Sequence, residues 1–200
     1  MIVELIRHGE TALQRERRYQ GTTDAPLSAE GRAALALADE RPRRVYVSPL
    51  LRARQTAEIL FPAAELIEVS GLAEMDFGVF EGRNAAEMEH DADYRAWVDG
   101  FCLGRCPGGE SKGEFSLRVC QTVEALLDGA VRDGEEALWI VAHGGTMMAA
   151  LERFGRPARS YYDWLRPCGA GWRLDAGRWM TERALRLLGP TDHRRGGERL

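Results

Sequence analysis

Lysine is almost missing from this chain. Of 27 basic residues only Lys112 is a lysine, and the rest are arginine. Arginine is therefore the default cation, and no single arginine carries an argument by type alone. A basic excess is missing as well: 27 Lys plus Arg face 31 Asp plus Glu, a net charge of −4. That balance offers no footprint for nucleic acid or an anionic membrane. No apolar run approaches the roughly 20 residues of a membrane helix. The opening Met1-Ile2-Val3-Glu4-Leu5-Ile6 is short and carries an acid, so no signal peptide is expected. Cysteine is scarce, at positions 102, 106, 120 and 168, with no CxxC spacing. Cys102 and Cys106 could share a helical face, but two thiols are not a zinc site. The four read as reduced thiols of a cytoplasmic protein. Only four histidines occur, and neither HxH nor HExxH is among their spacings.

What is present suits a globular enzyme. The 200 residues are 44% hydrophobic and 29% charged, enough for one buried core. One domain over 1–188 is expected, with an insert at about 75–113. The polar, Gly-rich stretch 189–200 reads as a disordered tail.

Three segments share one shape: a short apolar run, a cluster of functional side chains, then a helical pattern. They are Val3-Glu4-Leu5-Ile6 before Arg7-His8-Gly9-Glu10-Thr11, Arg44-Val45-Tyr46-Val47 before Ser48-Pro49-Leu50-Leu51-Arg52, and Ala137-Leu138-Trp139-Ile140-Val141-Ala142 before His143-Gly144-Gly145-Thr146. The runs read as buried strands. Leu66-Ile67-Glu68-Val69 is a fourth. Residues 171–174 and 178–181 flank Asp175-Ala176-Gly177 as a hairpin. Ser28 is placed to cap a helix over 29–38. Ser48 is placed to cap the next, with Pro49 at its first position. Ser111 and Glu114 have capping-box spacing before a long amphipathic run. Residues 146–154 continue the third strand as an apolar helix. Alternating strands and helices predict an α/β three-layer sandwich: a mostly parallel central sheet, helices on both faces, one edge hairpin and a helical insert over the active site.

In such a sheet ligands bind beyond the carboxyl ends of the strands. Three strands end in Arg7-His8, in Ser48 with Arg52 one helical turn on, and in His143. Two imidazoles and two guanidiniums therefore meet in one crevice. Guanidinium forks match phosphate oxygens, and glycine after each histidine lets backbone N–H groups approach an anion. A neutral imidazole facing a tetrahedral anion can attack phosphorus. The two arginines and a second, protonated histidine would stabilise the equatorial oxygens. A leaving alcohol needs a proton from a carboxylic acid of raised pKa. Spacing alone does not choose Glu74 over Asp76, Glu81 or Glu10. Arg54 reads as a salt-bridge partner, His90 and His193 as surface residues, and Met147-Met148 as core.

The motifs go further. Leu5-Ile6-Arg7-His8-Gly9-Glu10-Thr11 resembles the LxRHGET signature of the histidine phosphatase superfamily, the branch with phosphoglycerate mutases and α-ribazole phosphatases. The stretch from Gly21 to Gly31 resembles its G-x-x-D-x-PL-[ST]-x-x-G segment. Residues 48–57 resemble its SPLxRARQTA segment, residues 74–82 its E-x-x-FGxWEG element, and Val141-Ala142-His143-Gly144-Gly145 its second-histidine motif. These five ordered segments span about three-quarters of the chain. The resemblance implies His8 as the phosphorylated nucleophile, Glu74 as proton donor, and Arg7, Arg52 and His143 as phosphate ligands, with Gly144 beside them. It implies no metal and no cofactor. Gln14 stands where the family often has Asn, a further phosphate-pocket residue, and Ala34 where it usually has Gln.

The insert after Glu74 is short and acidic, with Glu87, Glu89, Asp91, Asp93 and Asp99. That resembles the phosphatase branch, as does Pro107-Gly108-Gly109-Glu110-Ser111. The expectation is a metal-independent phosphomonoester hydrolase acting on a small phosphorylated metabolite, with α-ribazole 5′-phosphate the leading substrate. The alternative is a phosphoglycerate mutase. A metal-dependent hydrolase lacks a third ligand beside His8 and His143. A phosphate-binding protein without turnover would have a damaged catalytic set. Tyr94, Trp97 and Phe101 either touch the leaving group or form the insert's own small core. Assembly is left between monomer and homodimer.

Overall fold

The computed structural model describes residues 1–196. Seven strands form one sheet: β1 (Ile2–Arg7), β2 (Arg44–Val47), β3 (Glu65–Glu68), β4 (Ala137–Ala142), β5 (Gly155–Arg156), β6 (Ala170–Asp175) and β7 (Leu185–Asp192), in the order β3-β2-β4-β1-β6-β7-β5. β3, β2, β4 and β1 run parallel, β6 is antiparallel to β1 and β7, and β5 is parallel to β7. The helices are α1 (Ala12–Arg15), α2 (Ala29–Ala34), α3 (Leu51–Leu60), α4 (Ala92–Asp99), α5 (Lys112–Arg132), α6 (Gly144–Phe154) and α7 (Trp179–Glu182).

Both faces of the sheet are covered, so its central strands are apolar on both sides. Alternate residues divide between two cores. Val3, Leu5, Leu138 and Ile140 pack with Phe115, Val119, Val123 and Leu127 of α5 and with Met147 and Leu151 of α6. Ile6, Val45, Val47, Trp139 and Val141 pack with Ala53, Ala57 and Leu60 of α3. The predicted three-layer α/β architecture is the one observed.

Local departures from the expected pattern have local causes. The helix capped by Ser28 stops at Ala34, because Leu35 turns extended, buries itself and bridges to Arg194. Ser48 does not cap α3. Leu50 is its N-cap, without a side-chain bond, and Pro49 lies ahead of the helix. The second arm of the expected hairpin, 178–181, enters the helical turn α7. Trp179 is buried there against Phe154 and donates its indole N–H to Asp128 at 2.7 Å. The antiparallel partner of β6 is the later β7, and the pair lies inside the sheet, with β5 at the edge. β7 takes in residues 189–192, which were expected in a disordered tail; 197–200 lie outside the described residues.

The insert over 75–113 is mostly irregular, with 3-10 turns at Gly78–Phe80 and Ala86–Met88 and the helix α4. Its Phe80, Met88, Tyr94 and Trp97 belong to the same core as β1 and α5. They are not a separate small core, and Phe101 is 82% exposed. The Ser111–Glu114 capping box opens α5 as expected, with Ser111 Oγ accepting from the Glu114 N–H. Ser111→Ala should cost about 1 kcal/mol. In a domain of this size, thermal unfolding should show that as a fall in Tm of roughly 2–4 °C.

Candidate active site

The carboxyl ends of β1, β2 and β4 deliver their loops to one place. His8 follows β1, and its Nδ1 donates to the Gly9 carbonyl at 2.7 Å. That bond puts the ring proton on Nδ1 and leaves the Nε2 lone pair facing the site. Arg52 Nε donates to that lone pair at 3.3 Å. Gly9 is pinned in turn, its N–H donating to Thr56 Oγ1 on α3 at 2.9 Å.

Arg52 is fully buried on α3. Its Nη1 and Nη2 donate to the carbonyls of Thr23 and Gly21 at 2.9 and 2.7 Å. Arg7 donates from Nη1 to the Arg166 carbonyl at 2.7 Å, and its buried Nε has no partner among the described residues. His143 is fully buried after β4, its ring centroid 5.0 Å from that of His8. Its Nε2 lies 2.6 Å from Ser48 Oγ, and its buried Nδ1 has no partner among the described residues. Ser48 thus orients an imidazole where a helix cap was expected.

The four candidate acids separate clearly. Glu10 pairs with Arg15 at the surface. Asp76 accepts from the Gly78 N–H at 2.8 Å. Glu81 accepts from the backbone N–H groups of Gly21, Thr22, Thr23 and Phe77. It holds the loop whose carbonyls hold Arg52. Glu74 alone faces the cavity beside His8, buried, accepting from the N–H groups of Gly145 at 2.8 Å and Met75 at 3.1 Å. Burial pushes its carboxyl above the ordinary range, against the pull of those amides and of Arg52 and Arg7. A Cβ at position 145 would overlap Glu74 Oε1, so the glycine lets the carboxylate sit where it does.

Both imidazoles are held well below their ordinary pKa, by burial first and by Arg52 and Arg7 next. Near neutrality burial therefore favours the uncharged form of both rings in the free protein. The sign for stability follows. The unfolded chain takes up protons below about pH 6.5 that the folded site refuses. The stability contributed by the neutral rings is thus present above that pH and lost as pH falls below it. Glu74, raised, acts in the opposite sense in the window just above its ordinary value. The denaturant midpoint should fall between about pH 7 and pH 5 in phosphate-free buffer. A His8→Asn/His143→Gln double variant should flatten that slope, and an unchanged slope would assign it to other groups.

A cavity of about 370 Å³ opens beside these groups, lined by Arg7, His8, Gln14, Glu74 and Gly144 at one end. Arg52 and His143 are not among its lining residues and lie against His8. Gln14 is also engaged in the α1 cap, its Oε1 accepting from the Thr11 N–H at 3.2 Å. The outer part is walled by Tyr19, Phe77, Trp97, Phe115 and Met148, and by Tyr161, Tyr162 and Leu165. That last group was not anticipated, because the segment after α6 carries no motif. Arg118 on α5 was missed too. It donates to the carbonyls of Gly71, Ala73 and Glu74 and to Glu110, and so fixes the backbone carrying Glu74. Among the described residues no group of three His, Cys, Asp or Glu side chains could hold a metal ion. No helix there is long and apolar enough to cross a membrane, and all four cysteines are free.

Paired imidazoles and guanidiniums beyond the carboxyl edge of a covered, mostly parallel sheet define an α/β protein built to handle a tetrahedral anion. The chain matches the histidine phosphatase superfamily (branch 1) over residues 3–169 and belongs to that family of phosphatases and phosphoglycerate mutases. It is 36% identical over 151 residues to a probable phosphoglycerate mutase, GpmB, of Salmonella choleraesuis, covering 71% of this chain and 69% of that protein. The structure resembles that of the α-ribazole phosphatase from Shigella flexneri, with a TM-score of 0.77 and 28% identity over 88% of this chain and 90% of the other. It also resembles a phosphoglycerate mutase from Thermus thermophilus, with a TM-score of 0.70 and 33% identity over 95% and 98% of the two chains.

Proposed function

We propose that the protein is a metal-independent phosphomonoester hydrolase working through a phosphohistidine on His8. The observation that carries this is the His8 tautomer: Nδ1–H bound to the Gly9 carbonyl, with Nε2 unprotonated and facing the cavity. A substrate phosphate held by Arg7, Arg52, His143 and the N–H of Gly144 lies in line with that lone pair. Nε2 forms a bond to phosphorus as the P–O bond to the alcohol breaks, and Glu74 gives its proton to the departing oxygen. Water then takes the phosphoryl group, with Glu74 as base, and the imidazole is regenerated. A bound phosphate dianion also draws a proton onto His143, offsetting the arginines that keep the empty site's imidazole neutral.

The aromatic outer wall suits a flat, largely apolar leaving group, and α-ribazole 5′-phosphate is the substrate we infer. A phosphoglycerate mutase is the second reading, favoured by the identity to GpmB. Hydrolysis of an aryl phosphate in excess EDTA, with acid and alkali quenches of the labelled protein, tests the proposal. An acid-labile, alkali-stable phosphoenzyme formed in EDTA supports it. Turnover abolished by EDTA, or a phosphoester in place of a phosphoramidate, overturns it. Phosphate transfer between glycerate positions, stimulated by a bisphosphate, would favour the mutase.

A further inference from the structure

Glu4 lies in the middle of the central strand β1 and is 1% exposed. A carboxylate there is costly unless it is paired or hydrogen-bonded. Its Oε2 has no hydrogen-bond partner among the described residues, nor has Thr191 Oγ1 or the Nε2 of His193, itself only 7% exposed. His193 was expected at the surface. It packs edge-on against Phe61, with its Nε2 3.7 Å from Glu4 Oε1, beyond hydrogen-bond reach though within ion-pair distance of a protonated ring. The three residues share a cavity of about 130 Å³, separate from the phosphate-facing one.

The remaining walls are acidic. Asp39, Glu40 and Asp192 line the cavity with Arg173. Arg173 is the cross-strand neighbour of Glu4, yet it donates to Glu40 at 3.2 Å. Asp192 is held by Arg194.

We propose that this cavity binds a primary ammonium group. An ammonium has one positive charge, three N–H donors and no acceptor. The cavity offers one buried carboxylate, whose Oε2 has no hydrogen-bond partner, and a hydroxyl oxygen at Thr191 without one, with the unpartnered ring nitrogen of His193 beside them. A directly ligated metal fits less well, because no three His, Cys, Asp or Glu side chains among the described residues are arranged to hold one. Apolar cavities of about 150 Å³ admit benzene, so this volume accommodates a short alkylammonium. The site is also tied to the catalytic strand. The His193 N–H donates to the Gly169 carbonyl, and the Gly169 N–H donates to the carbonyls of Arg7 and His8, each at 3.0 Å.

The test is thermal unfolding in phosphate-free buffer near neutrality, with methylammonium chloride set against sodium and tetramethylammonium chlorides at equal ionic strength. Methylammonium should raise Tm saturably by a few degrees, by mass action on the folded state, and the other two salts should not. Thr191→Val should weaken the apparent affinity roughly tenfold, as loss of one hydrogen bond to a charged group predicts. Glu4→Gln should remove the response. Glu74→Gln should leave it intact, which separates this cavity from the other carboxylate site. If Glu4→Gln does not fold, Thr191→Val carries the test. Equal effects of the three salts, no saturable response up to about 100 mM, or an unchanged affinity in Thr191→Val would show that the cavity holds only water.

Discussion

His8→Ala should lower phosphatase turnover by about 10⁴-fold or more while the protein stays folded. The proposed nucleophile has no understudy. His143 is 5.0 Å away ring to ring, but its Nε2 is committed to Ser48. The ring makes two hydrogen bonds, to the Gly9 carbonyl and from Arg52 Nε, and the fold should tolerate their loss because Arg52 stays held by the Thr23 and Gly21 carbonyls. The assay is turnover of an aryl phosphate in EDTA beside circular dichroism. Partial rescue by added imidazole is the specific sign, since a small nucleophile can occupy the emptied space. A folded variant within tenfold of wild type would remove His8 from the chemistry.

The second large effect depends on the leaving group. Glu74→Gln should slow hydrolysis of alkyl phosphates by about 10²–10⁴-fold and leave p-nitrophenyl phosphate much less affected. A nitrophenolate departs without a proton, and an alkoxide does not. Gln keeps the size and the bond to one of the two amides, and the dependence on leaving group separates loss of the proton from loss of the other amide contact, which would slow both substrate classes alike. Gly145→Ala should give the same pattern by steric displacement, because its new Cβ would overlap Glu74 Oε1. Rates across a series of phenols measure this. A steeper dependence on leaving-group pKa in both variants supports the assignment, and parallel lines would give the proton to another group.

The convergence of His8, Arg52 and His143 was legible because these residues sit directly after strands or one helical turn beyond. Apolar period and length mark β1, β2 and β4, and the residues that follow them must emerge at one edge. Ser48 was misassigned because local spacing favours a cap, whereas its partner His143 lies 95 residues away. The choice among Glu10, Asp76, Glu81 and Glu74 needed the family motif, since burial and amide contacts decide it and neither is written in spacing. The outer wall was only half anticipated. Tyr161, Tyr162 and Leu165 reach the cavity through the fold alone, without a periodic pattern of their own. The C-terminal error has the same origin. Gly189 and Pro190 read as linker, yet β6 gives them partners in Arg173 and Trp172.

The position of β1 also has a consequence for how the chain is made. β1 leaves the ribosome ahead of both its neighbours in the sheet, β4 and β6. β4 follows about 130 residues later, roughly 7–26 s at 5–20 residues per second. For that interval Ile2-Val3-Glu4-Leu5-Ile6 has no strand to pair with, and the His8 loop has no pocket. Glu4 is the one charge in the run, so it serves the nascent chain as a break against β-aggregation before it is buried.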